Sequence, residues 1–200
     1  MTILNLMFNS SRLLVASKRM CAKAVAITGS PGTGKSTLAE RLTDLGFQVR
    51  TVEAIALEAG ALSRQNGQQE IDTSKLGSWT QSGTETCVID GHLSHYCSID
   101  AVIVLRCNPK NLRQRLINRE GYGPEKIESN VEWELLGGVW SELITLHPGA
   151  NVLELDTTEQ GIEIQNVLDF LENPDLAKSV EHSVEDSIDW IRLNFAAESI

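Results

Sequence analysis

No apolar run in the chain approaches the ~20 residues that a membrane-spanning helix requires, so no membrane partner is expected. A C-x-x-C pair is also missing, because Cys21, Cys87, Cys97 and Cys107 stand apart. That spacing excludes the usual paired-thiol frameworks and fits free thiols in a reducing cytoplasm. His92, His95 and Cys97 are close in sequence but match no standard zinc arrangement. A basic balance is lacking too: Lys and Arg number 17 against 27 Asp and Glu, a formal net charge of −10. General nucleic-acid binding needs the opposite sign for its phosphate contacts. No segment repeats. Acidic residues are absent from residues 1–20, which carry Arg12, Lys18 and Arg19. That composition suits an organellar transit peptide. The preferred alternative is an N-terminal extension from an early start, since Met20-Cys-Ala-Lys precedes the first strand directly.

One stretch organises the rest. Ala24-Val-Ala-Ile-Thr28 is a short apolar run of the kind that forms a buried parallel strand. Gly29-Ser-Pro-Gly32-Thr-Gly34-Lys35-Ser36 then satisfies the G-x-x-x-x-G-K-[ST] spacing. Leu38 and Leu42, four apart, open the helix that should follow. Glycines let backbone wrap a phosphate chain that side chains would block, and the first helical amides and their dipole favour the anion. Lys35 would reach the β- and γ-phosphates and the Ser36 hydroxyl would ligate Mg²⁺. Gly32-x-Gly34 resembles the opening of a dinucleotide fingerprint, but Thr37 stands where its third glycine belongs. Nucleoside triphosphate is therefore the expected ligand.

Farther along, Gly46 reads as a helix stop and Phe47–Thr51 as a second strand. Residues 52–62 look helical, 63–72 polar and loop-like, and 71–81 weakly helical. Glu85–Asp90 is a third strand, Asp100–Arg106 a fourth with a near-continuous apolar run, and Val152–Leu155 a fifth. Pro109 suits the first position of a helix whose core face is Leu112 and Leu116. Glu120-Gly-Tyr-Gly-Pro124 breaks it, and apolar spacing then predicts a helix over 125–147, weakened at Gly137-Gly138. A helix over 159–172 closes the domain. Strands alternating with helices imply a three-layer α/β domain on a parallel sheet. Beyond it, Val184, Ile188, Ile191 and Phe195 form a helical stripe amid acidic residues, expected to pack on the domain yet be dispensable for turnover.

Asp90 ends a strand downstream of the phosphate loop, where such folds keep a Mg²⁺-ordering carboxylate. Arg106, Arg113, Arg115 and Arg119 precede the Gly-Tyr-Gly-Pro break, and arginines near transferring phosphates stabilise their charge. With the loop, Val-Ile-Asp90-Gly-His92, Val-Ile-Val-Leu-Arg106, Arg-Leu-Ile-Asn-Arg119-Glu-Gly-Tyr and Glu-Lys-Ile-Glu-Ser-Asn-Val-Glu stand in one family order. Over residues 23 to about 172 the chain resembles the archaeal proteins called putative adenylate kinases, relatives of eukaryotic adenylate kinase isoenzyme six. The resemblance implies a P-loop nucleoside monophosphate kinase fold with five parallel strands in the order 2-3-1-4-5. It implies a domain over 21–172, with an NMP-binding segment at about 51–71 and a short lid at about 118–129, followed by a tail over 173–200. Gly32, Gly34, Lys35, Ser36 and Thr37 would hold ATP with Arg119 from the lid. Asp90 and His92 would form a modified Walker-B pair, and Ser36 and Asp90 would order Mg²⁺.

The implied activity is phosphotransfer from ATP to AMP giving ADP, catalysed by Lys35, Asp90, His92 and Arg119. Family membership also implies an alternative, an ATPase acting in small-ribosomal-subunit maturation beside a ribosomal protein. Two departures from the family pattern bear on the choice. Glu120 is inserted between the lid arginine and Gly-Tyr. Leu57 stands where the family places the arginine that serves the monophosphate, leaving Arg50 and Arg64 as substitutes.

Overall fold

A computed structural model describes residues 24–65, 68–83, 85–159 and 161–197. The N-terminal extension over 1–20 and Cys21 lie outside the described residues. The apolar run Ala24–Thr28 is strand β1, buried at every position, and leads into helix α1, Lys35–Asp44. Then follow β2 (Gln48–Thr51) and α2 (Val52–Glu58), the latter capped by the Thr51 hydroxyl accepting from the Ala54 amide. A hairpin of β3 (Leu62–Gln65) and β4 (Gln68–Ile71) and a single turn α3 (Thr73–Leu76) come next. Strands β5 (Cys87–Asp90) and β6 (Ala101–Arg106) precede α4 (Pro109–Ile117), α5 (Pro124–Leu135) and α6 (Gly138–Leu146). The chain ends with β7 (Asn151–Asp156), α7 (Ile164–Glu172), α8 (Val180–Ser183) and α9 (Trp190–Ala197).

The sheet runs β2-β5-β1-β6-β7, parallel throughout. Counted without the separate hairpin, that is the expected order 2-3-1-4-5. Alternation along β1 sends Val25 and Ile27 to one face, where Leu38 and Leu42 of α1 and Val167 and Phe170 of α7 cover them. Ala26 faces the other way with Val102 and Val104, against Val139, Trp140 and Leu143 of α6. Both faces of β6 are thus buried, which is why its sequence is apolar almost without interruption. Each fully buried Leu or Ile here contributes about 1.5–3 kcal/mol over its exposed state. No helix among the described residues is long and apolar enough to cross a membrane.

Four expectations change. The stretch 63–72 is a hairpin, not a loop, joined at its base by the Leu62–Ile71 pair. The helix over 125–147 is two helices: Gly137 has φ +63°, and a side chain at Gly138 would run into the Trp133 ring. The helix expected over 159–172 starts only at Ile164. The tail stripe is not one helix, because Ser187–Asp189 interrupts it between a 3₁₀ turn at Val184–Asp186 and α9.

Candidate functional site

The parallel topology brings the carboxyl ends of β1 and β5 side by side, with Ile27 in register with Asp90. The loop from Gly29 to Gly34 leaves β1 there and enters α1. Gly29 has φ +131°, and any side chain on it would collide with the Leu105 carbonyl. The loop backbone therefore seats directly on β6. Gly34, with φ +97°, precedes α1 and offers no side-chain cap, leaving the first-turn amides to face the cleft. Lys35 folds back over the loop, its Nζ donating to the Gly29 and Ser30 carbonyls at 2.9 and 2.8 Å. Burial pulls its ammonium down to about 8, against the attraction of Asp90.

Asp90 is the last residue of β5. Its Oδ1 is buried without a hydrogen-bond partner, and burial raises its pKa against the pull of Lys35 and the Ser36 hydroxyl. An orphaned carboxylate oxygen beside a hydroxyl and an ammonium fits a divalent cation carried in with a phosphate chain. Gly91 then turns the chain out of the strand with φ +148°; a Cβ there would lie 2.7 Å from Val52 Cγ2. His92 follows at the cleft wall, its pKa lowered by desolvation and by Lys35.

These groups line one cleft of about 730 Å³. Gly32, Gly34, Lys35, Ser36, Thr37, Asp90, His92 and Arg119 all border it, so every candidate site residue is brought together. Thr51, Glu53, Tyr122, Lys126 and Asn130 border it as well and escaped the sequence reading. Lys126 and Asn130 lie one turn apart on the polar side of α5, away from buried Ile127 and Val131. That spacing was the available signal, but it reads equally as a solvated helix face. Tyr122 sits between two cations, its ring centroid 5.2 Å from the Arg119 guanidinium and 4.1 Å from Lys126 Nζ.

The other arginines go elsewhere. Arg106 is fully buried and ion-paired with Glu134 and Glu154. Arg113 pairs with Glu128. Arg115 donates to the carbonyls of Thr157 and Thr158 at 2.5 and 3.0 Å, tying α4 to the end of β7. Arg50 is held by Glu58 and lies over the Trp79 ring, outside the cleft lining. The Arg64 side chain lies outside the described residues. Leu57 is 71% exposed, one turn beyond Glu53 on the same face of α2.

Behind the loop, His95 joins buried Thr28 Oγ1 at 2.7 Å to Glu142 at 2.6 Å, and Tyr96 OH donates to the same carboxylate. His95 is thus a structural link, and among the described residues no cluster of His, Cys, Asp or Glu is arranged to hold a metal ion. Cys87, Cys97 and Cys107 are free and buried.

The family described as "AAA domain" matches residues 25–137. The "Putative adenylate kinase" of Pyrococcus abyssi is 40% identical over 139 residues, 68% of this chain and 76% of that protein. That of Archaeoglobus fulgidus is 40% identical over 140 residues, covering 70% and 75%. The protein of the same name from Methanocaldococcus jannaschii is 31% identical over 180 residues, covering 86% and 94%. Among solved structures, a deoxyadenosine kinase from M. mycoides aligns over 76% of this chain and 99% of its own at 16% identity, with a TM-score of 0.47.

Proposed function

This chain belongs to the archaeal family named putative adenylate kinases, a family of P-loop kinases, and from that premise we propose that it transfers the γ-phosphoryl group of ATP to AMP. The observation that carries the proposal is the single cleft in which the Gly29–Ser36 loop, Asp90, His92 and Arg119 converge. Lys35 and the first amides of α1 bind the phosphate chain. Arg119, steadied against Tyr122, neutralises charge from the lid side. Ser36 and Asp90 would hold Mg²⁺, which supplies charge neutralisation on the phosphates. His92 orients the acceptor. A monophosphate is already a competent nucleophile, so positioning and electrostatics do most of the work.

One observation favours a second reading, ATP hydrolysis with water as acceptor. The wall formed by Thr51, Glu53, Gly91 and His92 presents an acid, and Arg50, the cation of β2, is engaged by Glu58. A monophosphate dianion meets no lysine or arginine among those four residues, whereas water has no such requirement. A small-subunit ribosomal protein as partner belongs with this reading.

One assay separates the two: ATP consumption with AMP, with other monophosphates and with no acceptor. ADP formation that depends on AMP supports the kinase, and equal consumption without acceptor supports the hydrolase. Lys35→Ala should lower either rate by about 10²–10³-fold. Unchanged turnover in a folded Lys35→Ala protein would remove the loop from the mechanism.

A further inference from the structure

The buried pair of Arg106 and Glu134 reaches beyond the core. Glu134, on α5, is 1% exposed. Its Oε2 accepts a 2.7 Å hydrogen bond from Ser30 Oγ, inside the phosphate loop. Its Oε1 accepts from Arg106 Nε at 2.7 Å, from the Cys107 amide at 3.2 Å and from the Trp190 indole N–H at 2.9 Å. Arg106 continues the chain to Glu154 Oε1 at 2.9 Å and to the Ile188 carbonyl at 3.3 Å. Glu154 returns to the Ile188 amide at 2.9 Å. One carboxylate therefore has one oxygen on the nucleotide loop and the other on α9, the last helix among the described residues.

The loop end of this link is consequential. Ser30 is held at its side chain by Glu134, while its carbonyl receives Lys35 Nζ at 2.8 Å and the Thr33 hydroxyl at 2.9 Å. Whatever fixes the Glu134 carboxylate thus fixes the seat of the loop lysine. Trp190 is 4% exposed, and burial of its ring alone would satisfy packing. Its N–H is instead aimed at the oxygen shared with Arg106, where a buried charge demands full hydrogen bonding.

We propose that Trp190 is a positioning residue for the nucleotide: its indole N–H fixes Glu134, and through Ser30 it holds the phosphate loop in its binding shape. The inference rests on the reading of that loop as an ATP site. It departs from the sequence expectation that the tail is dispensable for turnover.

The test titrates a non-hydrolysable ATP analogue with Mg²⁺ into the natural protein, Trp190→Phe, Ser30→Ala and the double variant by calorimetry. Phenylalanine keeps the buried ring and removes the donor. Each single substitution should weaken analogue binding by about three- to tenfold, the loss of one charge-assisted hydrogen bond acting indirectly. The double variant should be no weaker than the weaker single, because both changes cut one link. At saturating ATP the kcat of Trp190→Phe should stay near the natural value while its KM for ATP rises. A Trp190→Phe protein with lowered thermal stability but natural affinity would overturn the proposal, as would effects that multiply in the double variant. A measurement on the natural protein needs no variant: exchange of the Trp190 indole proton should slow when the analogue binds. Unchanged exchange refutes the link even if Trp190→Phe fails to fold. If the natural protein does not bind the analogue, the ATP reading of the loop falls, and this inference falls with it.

Discussion

Leu57→Arg tests whether the acceptor wall lacks a cation. Leu57 is 71% exposed, so the substitution removes little buried surface and should leave stability within about 0.5 kcal/mol. It shares a helix face with Glu53, which borders the cleft. The new guanidinium then has two competing partners. An exposed ion pair with Glu53 at four-residue spacing is worth about 0.3–0.5 kcal/mol. Charge-assisted hydrogen bonds to a phosphate are worth about 1.5–3 kcal/mol each. Phosphate wins, and the difference corresponds to a roughly five- to hundredfold lower KM for AMP. ATP affinity should barely change, because the loop that binds it leaves a different strand. The assay is an AMP titration of both proteins at saturating ATP, with acceptor-free ATP consumption measured alongside. The natural protein should show a high KM for AMP and measurable acceptor-free turnover. A micromolar KM in the natural protein would mean that another group already meets the monophosphate, and the reasoning from Leu57 and Arg50 would be wrong.

Three further outcomes follow from the geometry. Gly29→Ala should cost about 3 kcal/mol and abolish nucleotide binding, since its Cβ would meet the Leu105 carbonyl at a φ of +131°; a natural melting temperature would contradict this. Lys35 is charged below about pH 8 in the free protein and must take up a proton to meet phosphate above it. Analogue affinity should therefore fall by up to tenfold per pH unit between about 8 and 9.5, and a flat calorimetric profile there would refute the shift. A chain ended after Glu172 loses buried Val180 and Trp190 and the hydrogen bonds that residues 188 and 190 make with Glu134, Glu154 and Arg106. It should melt well below the full chain and show a raised KM for ATP, and equal melting curves with unchanged ATP turnover would restore the tail's dispensability for turnover.

What was legible in the sequence was local. The phosphate loop announces itself because its glycines and Lys35 serve one short turn, and the apolar runs of β1 and β6 announce a sheet covered on both faces. The hairpin over 62–71 was hidden because only Leu62 and Ile71 mark its base, while Gln65-Asn-Gly-Gln-Gln69 reads as polar loop. Lys126 and Asn130 were hidden on a face indistinguishable from a solvated one. Arg106 stands in sequence among the arginines that precede the Gly-Tyr-Gly-Pro break, yet its acidic partners lie 28 and 48 positions on. His95 meets Thr28 and Glu142 across 67 and 47 positions. Pairings at such separations leave no period or spacing to read.

The same separations set an order of events during synthesis. Ser30 precedes Glu134 by 104 residues, and Trp190 follows Glu134 by another 56. A nascent chain emerges with its phosphate loop first, then the Arg106 and Glu134 pair, and only 56 residues after Glu134 the indole that completes the carboxylate's set of donors. Until then the growing polypeptide carries a buried charge cluster short of one partner. Synthesis that stops between Glu134 and Trp190 therefore releases a chain whose Glu134 carboxylate keeps Ser30 and Arg106 as partners and lacks its indole donor.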